Sequence, residues 1–189
     1  MESTTRQVCE PSANEPNLKI RDFDTLIKVS HDTAIDRGWW VEQRSQAGIL
    51  ILVVTELAEA VQDYRDGKIE TYYEETECGK KPCGAIVELA DALVRLADWA
   101  GYYGLKFSRS MLWDDERIAR ITETFETAIF TLMKEATSVS FRDNLGDFAE
   151  VVFALTEKLV GSRDAMWRAL EEKCAYNAKR PWRHNNKKI

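Results

Sequence analysis

Proline occurs at only four positions, Pro11, Pro16, Pro82 and Pro181, which leaves two long proline-free stretches, 17–81 and 83–180. Glycine and proline together make up 9 + 4 = 13 of 189 residues, well below the usual share of about 12%. A sandwich or barrel needs many turns and cannot be built from so few, so an all-α architecture is the leading class. Apolar residues make up 44% of the chain, enough for a real core, and the length fits one domain.

The formal net charge of −6 has the wrong sign for a protein that coats nucleic acid. The longest strongly apolar run, Ile49 to Val54, is far too short to span a bilayer. The N-terminal residues MESTTRQVCEPSANEP lack the apolar segment of a secretory signal, so a cytoplasmic location is expected. Cys9, Cys78, Cys83 and Cys174 form no CxxC pair and are read as free thiols, a Cys78–Cys83 bridge being the minor alternative.

Residues 1–17 are polar, carry two prolines and read as a disordered tail; residues 18–189 read as a single helical domain. From Leu18 a helical period places Ile20, Phe23, Ile27, Ala34 and Ile35 on one face, stopped by Gly38. A second helix is expected from about Arg44 to Asp66 and a third from about Gly84 to Tyr103, with a polar loop over 67–83 between them. Two further periodic segments follow, around Ile118–Leu132 and Leu145–Leu159, and a last helix ends before Pro181. No strand alternation is visible.

Two short patterns carry the chemistry. Glu56 and Glu59, and Glu88 and Asp91, each place two carboxylates at i and i+3 on one helix face. Four such groups facing one another in a bundle repel and lose hydration unless a cation neutralises them, and hard oxygen donors suit Mg²⁺ or Mn²⁺. The same residues also fit solvent-facing stripes, Thr55–Asp63 on one helix and Glu88, Asp91, Arg95 and Asp98 on the other. Near the C-terminus, Lys173, Asn177 and Arg180 fall at i, i+4 and i+7, with Arg183, His184, Lys187 and Lys188 following. A basic cluster in an acidic protein with an acidic cluster suggests a metal–polyphosphate bridging the two.

These residues resemble the MazG-like, all-α nucleoside triphosphate pyrophosphohydrolases. The family's ExxE…ExxD signature is matched by Glu56, Glu59, Glu88 and Asp91. Its C-terminal signature, KxxxNxxRPxxHGGK, is similar to Lys173, Asn177, Arg180, Pro181, His184 and Lys187, with Asn185-Asn186 in place of the glycine pair. HDTAIDRGWW at 31–40 also resembles the segment before the family's first acidic helix. The resemblance covers about residues 18–107 and 162–189 and leaves about 108–162 as an inserted helical hairpin. It implies a four-helix MazG-like core, a homo-oligomer (dimer or tetramer), and a Mg²⁺ site on Glu56, Glu59, Glu88 and Asp91, with Mn²⁺ as substitute.

The reaction it implies is hydrolysis of a (d)NTP to the monophosphate and pyrophosphate, with deoxynucleotides favoured. Lys173, Arg180 and Lys187 would take phosphates, Asn177 phosphate or sugar, and Trp39, Trp40, His31 and Tyr176 the nucleoside end. Glu59 either ligates metal or orients the attacking water. Trp39, Trp40 and His31 equally fit core positions, and Asp143, Asp147 and Glu150 fit a solvated face. A di-iron bundle is disfavoured because neither His31 nor His184 follows a glutamate by three residues. A non-catalytic helical interaction protein and a pyrophosphohydrolase for a specialised nucleotide stay open.

Overall fold

The computed structural model describes residues 18–110, 113–138 and 141–186, which are predominantly helical, with one two-stranded sheet. The expected tail over 1–17 and the candidate ligand Lys187 lie outside the described residues. Helix α1 (Phe23–Asp36) starts where the Asp22 carboxylate accepts from the Thr25 N–H, and α2 (Gln46–Arg65) starts at Ser45, whose hydroxyl accepts from the Gly48 N–H. The strands β1 (Tyr72–Thr76) and β2 (Gly79–Cys83) lead into α3 (Ala85–Tyr103). Helices α4 (Asp115–Ile121) and α5 (Phe125–Ala136) follow, then a 3₁₀ turn (Phe141–Asn144) and α6 (Leu145–Val160). Helix α7 (Asp164–Lys179) and the short α8 (Arg183–Asn186) end the described chain.

Helix α3 is the axis of the fold. Every residue from Ala85 to Ala100 is buried except Arg95, and α1, α2, α6 and α7 all pack against it. Its alanines at 85, 90, 92, 97 and 100 let neighbouring helices approach closely. Leu89, Leu93, Leu96 and Trp99 fill the space between, each contributing about 1.5–3 kcal/mol by leaving water. The start of α3 is set by Gly84 at φ 119°, where a Cβ would lie 2.3 Å from the Glu70 carbonyl oxygen. No helix among the described residues is long and apolar enough to cross a membrane.

Five expectations are corrected. The segment 67–83 is not a plain loop. β1 and β2 form an antiparallel hairpin in which Glu74 opposes Lys81 and Glu75 opposes Lys80, and the Tyr73 hydroxyl donates to Glu172 on α7 at 2.9 Å. Its nearly wholly exposed β1 carries no apolar alternation for a sequence to display. On α1 the buried positions are Leu26, Ser30 and Ala34, whereas Ile35 is 49% exposed, so the core face is rotated from the expected one. Cys83 and Cys174 are free and buried, but Cys78 is disulfide-bonded, so neither the free-thiol expectation for Cys78 nor a Cys78–Cys83 pair holds.

The segment 108–162 holds three α-helices, α4, α5 and α6, rather than a simple helical hairpin. It packs into the core: Phe125 stacks on Tyr64 of α2 with ring centroids 3.8 Å apart, and α6 lies against α3 and α7. The expected solvated face of Asp143, Asp147 and Glu150 fails at Asp147. That carboxylate is fully buried and accepts from the Ser110 N–H at 3.2 Å, a backbone partner that makes its burial tolerable.

Candidate metal and phosphate site

Glu88, Asp91, Arg95 and Asp98 recur at i, i+3, i+7 and i+10 along α3, one polar stripe on an otherwise apolar helix. The stripe faces Glu56 and Glu59 of α2 and Lys173 and Asn177 of α7. Glu56, Glu88 and Asp91 are buried and Glu59 is exposed, so the solvent-stripe reading fails for the first three.

The four expected ligands divide three to one. Carboxylate oxygens of Glu56, Glu59 and Glu88 lie within 4.8 Å of one another. Asp91 is engaged elsewhere: its Oδ2 lies 2.8 Å from the Lys173 ammonium, and its Oδ1 accepts from Asn177 Nδ2 at 3.5 Å. Lys173 therefore does not project into solvent for a phosphate, as the spacing on α7 suggests. It is 2% exposed, also stands 3.7 Å from Glu88, and is held protonated because Asp91 and Glu88 outweigh its desolvation.

The charge balance explains what the trio requires. Arg95 donates from Nε to Glu56 Oε1 at 3.1 Å, Lys173 sits tightly on Asp91 and more loosely against Glu88, and Glu59 has no cationic partner among the described residues. Burial, then repulsion from Asp91, pushes Glu56 up to about 7 in spite of Arg95. Burial likewise pushes Glu88 up to about 7, against the pull of Lys173 and reinforced by Asp91 and Glu59. Burial also opposes ionisation of Asp91, but Lys173 and Arg95 together outweigh it and hold that carboxyl below its usual range. Three carboxylates facing one guanidinium and a share of the Lys173 ammonium remain under-neutralised; they are a hard, all-oxygen donor set and fit a divalent cation such as Mg²⁺ or Mn²⁺.

A pH dependence of defined sign follows. Between the ordinary glutamate value of 4.5 and about 7, the folded protein binds more protons than the unfolded chain at Glu56 and Glu88, so metal-free stability falls as pH rises across that window. Metal affinity runs the other way. Because binding displaces both protons, Mn²⁺ affinity rises up to about 100-fold per pH unit below 7 and levels off above about 8. Urea unfolding and Mn²⁺ titration over pH 5–9 check both slopes. A pH-independent affinity would show that these glutamates are not the ligands.

Beside the carboxylates, Arg180 follows α7 as a half-buried guanidinium. Its charge is felt by Asp91 and Glu56, it pairs with no carboxylate among the described residues, and it lies over the Tyr176 ring, 5.9 Å from the centroid. Tyr176 itself is buried, and its hydroxyl lies 3.2 Å from Thr76 Oγ1, so it anchors the hairpin to α7. A narrow cleft between α1, α3 and α7 opens next to Arg95 and Asn177 and is walled by Ser30, Thr33, Arg37 and Trp39. Inside it the Asn177 Oδ1 and Arg37 Nε atoms are buried without a partner.

The two tryptophans separate. Trp39 is nearly buried on the cleft wall, edge-on to His184 at 5.0 Å, whereas Trp40 is stacked on Tyr102 at 4.0 Å and so has one ring face covered. His31 is drawn to α3, with Nδ1 2.9 Å from Asp98 Oδ1. Sequence reasoning missed Arg95 and Asp98 as site residues, having read them as solvated. The available signal was that α3 is apolar on every side except this one stripe, so its few charges lie on a helix surrounded by packing partners. No known family, curated protein or solved structure matches this chain, so its likeness to the MazG-like group rests on the motifs alone.

Proposed function

We propose that the protein is a Mg²⁺-dependent nucleoside triphosphate pyrophosphohydrolase with a MazG-like core of α1, α2, α3 and α7, releasing pyrophosphate and a (d)NMP and favouring deoxynucleotides. The observation that carries the reading is the convergence of Glu56, Glu59 and Glu88 beside Arg180, a guanidinium that pairs with no carboxylate among the described residues. Glu56, Glu59 and Glu88 would hold the cation, which would supply Lewis-acid polarisation of the α-phosphate and raise the acidity of the attacking water.

Glu59, the one exposed member of the trio and without an ion-pair partner among the described residues, would divide its two oxygens between the cation and the attacking water. Arg180 neutralises the charge that builds on the leaving pyrophosphate. Lys173 acts one step back, holding Asp91 in place, and Asn177 bridges Asp91 to the cleft, where the nucleoside end lies against Trp39. The reading includes assembly into a homo-oligomer, which would cover exposed apolar side chains such as Ile51.

Product analysis by anion-exchange chromatography with Mg²⁺ and a panel of NTPs and dNTPs tests it. Monophosphate plus pyrophosphate is expected, abolished by EDTA and reduced at least about 100-fold in Glu59→Ala. Diphosphate plus orthophosphate would mean attack at the γ-phosphate and overturn the mechanism. One observation favours the non-catalytic alternative: Lys173 and Arg95 already neutralise part of the acidic cluster. That alternative requires that no nucleotide be turned over with either Mg²⁺ or Mn²⁺.

A further inference from the structure

Asp98 collects three donors from three places in the chain. Its Oδ1 accepts from His31 Nδ1 of α1 at 2.9 Å and from the Trp40 indole N–H at 2.6 Å, and its Oδ2 accepts from Arg44 Nη1 at 3.2 Å. Asp98 is itself buried, and the Arg44 guanidinium supplies its counter-charge. One turn further on, Gly101 leaves room for the imidazole to lie against α3, since a Cβ there would stand 2.6 Å from that of His31. Tyr102 then stacks flat on Trp40, and the His31 ring meets Trp40 edge-on at 5.5 Å. A single carboxylate thus fixes His31, Trp40 and Arg44 together.

The chemical consequence is specific. A ring nitrogen facing a carboxylate carries the proton, so His31 is held as the Nδ1–H tautomer and its Nε2 is left as a hydrogen-bond acceptor. The Trp40 N–H is spent on Asp98, so that side chain offers only ring surface. We propose that Asp98 is a positioning residue for base recognition: it fixes His31 with Nε2 presented to an N–H donor of the base, such as an exocyclic amino group, and locks Trp40 beside it. This rests on the hydrolase reading above. It adds the residue that sets the polarity of recognition and the side of the base that is read.

Asp98→Asn tests it, because asparagine keeps the shape yet removes the charge and can donate to His31 instead of accepting. With only two histidines in the chain, His31 and His184, the tautomer is readable by long-range ¹H–¹⁵N correlation spectroscopy on the intact protein. The wild type is expected to show His31 as Nδ1–H, and the variant to move toward Nε2–H. In the same variant KM for dCTP is expected to rise about 10-fold with kcat within about threefold, and the preference for dCTP over dUTP to fall about 10-fold.

A wild-type His31 found as Nε2–H overturns the proposal, whether or not the variant folds. So does a folded Asp98→Asn with unchanged KM and base preference. A wild type that turns over no nucleotide overturns the hydrolase reading and takes the recognition role with it. That failure is told apart from the others by inactivity of the parent protein.

Discussion

Glu88→Gln is expected to make the metal-free protein more stable and, at the same time, inactive. At pH 8 the Glu88 carboxylate is ionised in both folded and unfolded states, but in the folded state burial and the neighbouring Asp91 and Glu59 disfavour its charge. Glutamine removes the charge and keeps the shape, and Lys173 retains its tighter partner Asp91. The expected gain is about 1–2 kcal/mol in denaturant unfolding without metal. With Mg²⁺ the order reverses: the wild type gains stability through binding, the variant gains little, and hydrolysis falls about 1,000-fold. Thermal unfolding of both proteins with and without Mg²⁺, together with product analysis, checks the crossing. A variant less stable than the wild type without metal would show that Glu88 is held by attractive contacts and is not an uncompensated ligand.

That conflict between stability and ligation was half legible in the sequence. The pairs Glu56/Glu59 and Glu88/Asp91 and the helices that carry them follow from periodicity and spacing, and α2 and α3 lie within two residues of their expected bounds. What spacing does not give is depth. Lys173, Asn177 and Arg180 share a side of α7 on any helical wheel, yet Lys173 is buried against Asp91 while Arg180, beyond the end of the helix, keeps its guanidinium unpaired. Asp147 and Glu150 show the same limit, since identical i, i+3 spacing leaves one fully buried and the other paired with Arg163 near the surface. The hairpin was invisible for the opposite reason. Its strands set glutamates opposite lysines and are tied to α7 by hydroxyl contacts, neither of which leaves an apolar alternation.

Lys173→Met separates the two roles that this lysine can have. As a phosphate ligand on the protein surface, its loss would raise KM and leave folding untouched. As the partner of a buried carboxylate, its loss strands Asp91 without its direct ion-pair partner and leaves only the weaker field of Arg95 and Arg180, which costs about 3–5 kcal/mol. The second outcome is expected in guanidinium chloride unfolding at pH 8 without metal. The sign with pH follows from Asp91, whose carboxyl is held below its ordinary 3.8 in the wild type. The stability that its ionised form contributes is present above that value and is lost as pH falls through the lower folded value. In the variant a stranded Asp91 takes up a proton as pH falls toward 3.8, so the deficit against the wild type shrinks there. Adding Asp91→Leu to Lys173→Met is expected to restore most of the lost stability, because replacing both members of a buried ion pair removes the desolvation problem together with the attraction. Hydrolysis is not expected to return in the double variant, since Asp91 and Lys173 together set the α3–α7 wall beside Glu88. A Lys173→Met protein that unfolds within about 1 kcal/mol of the wild type would place this ammonium in solvent and return it to the phosphate role.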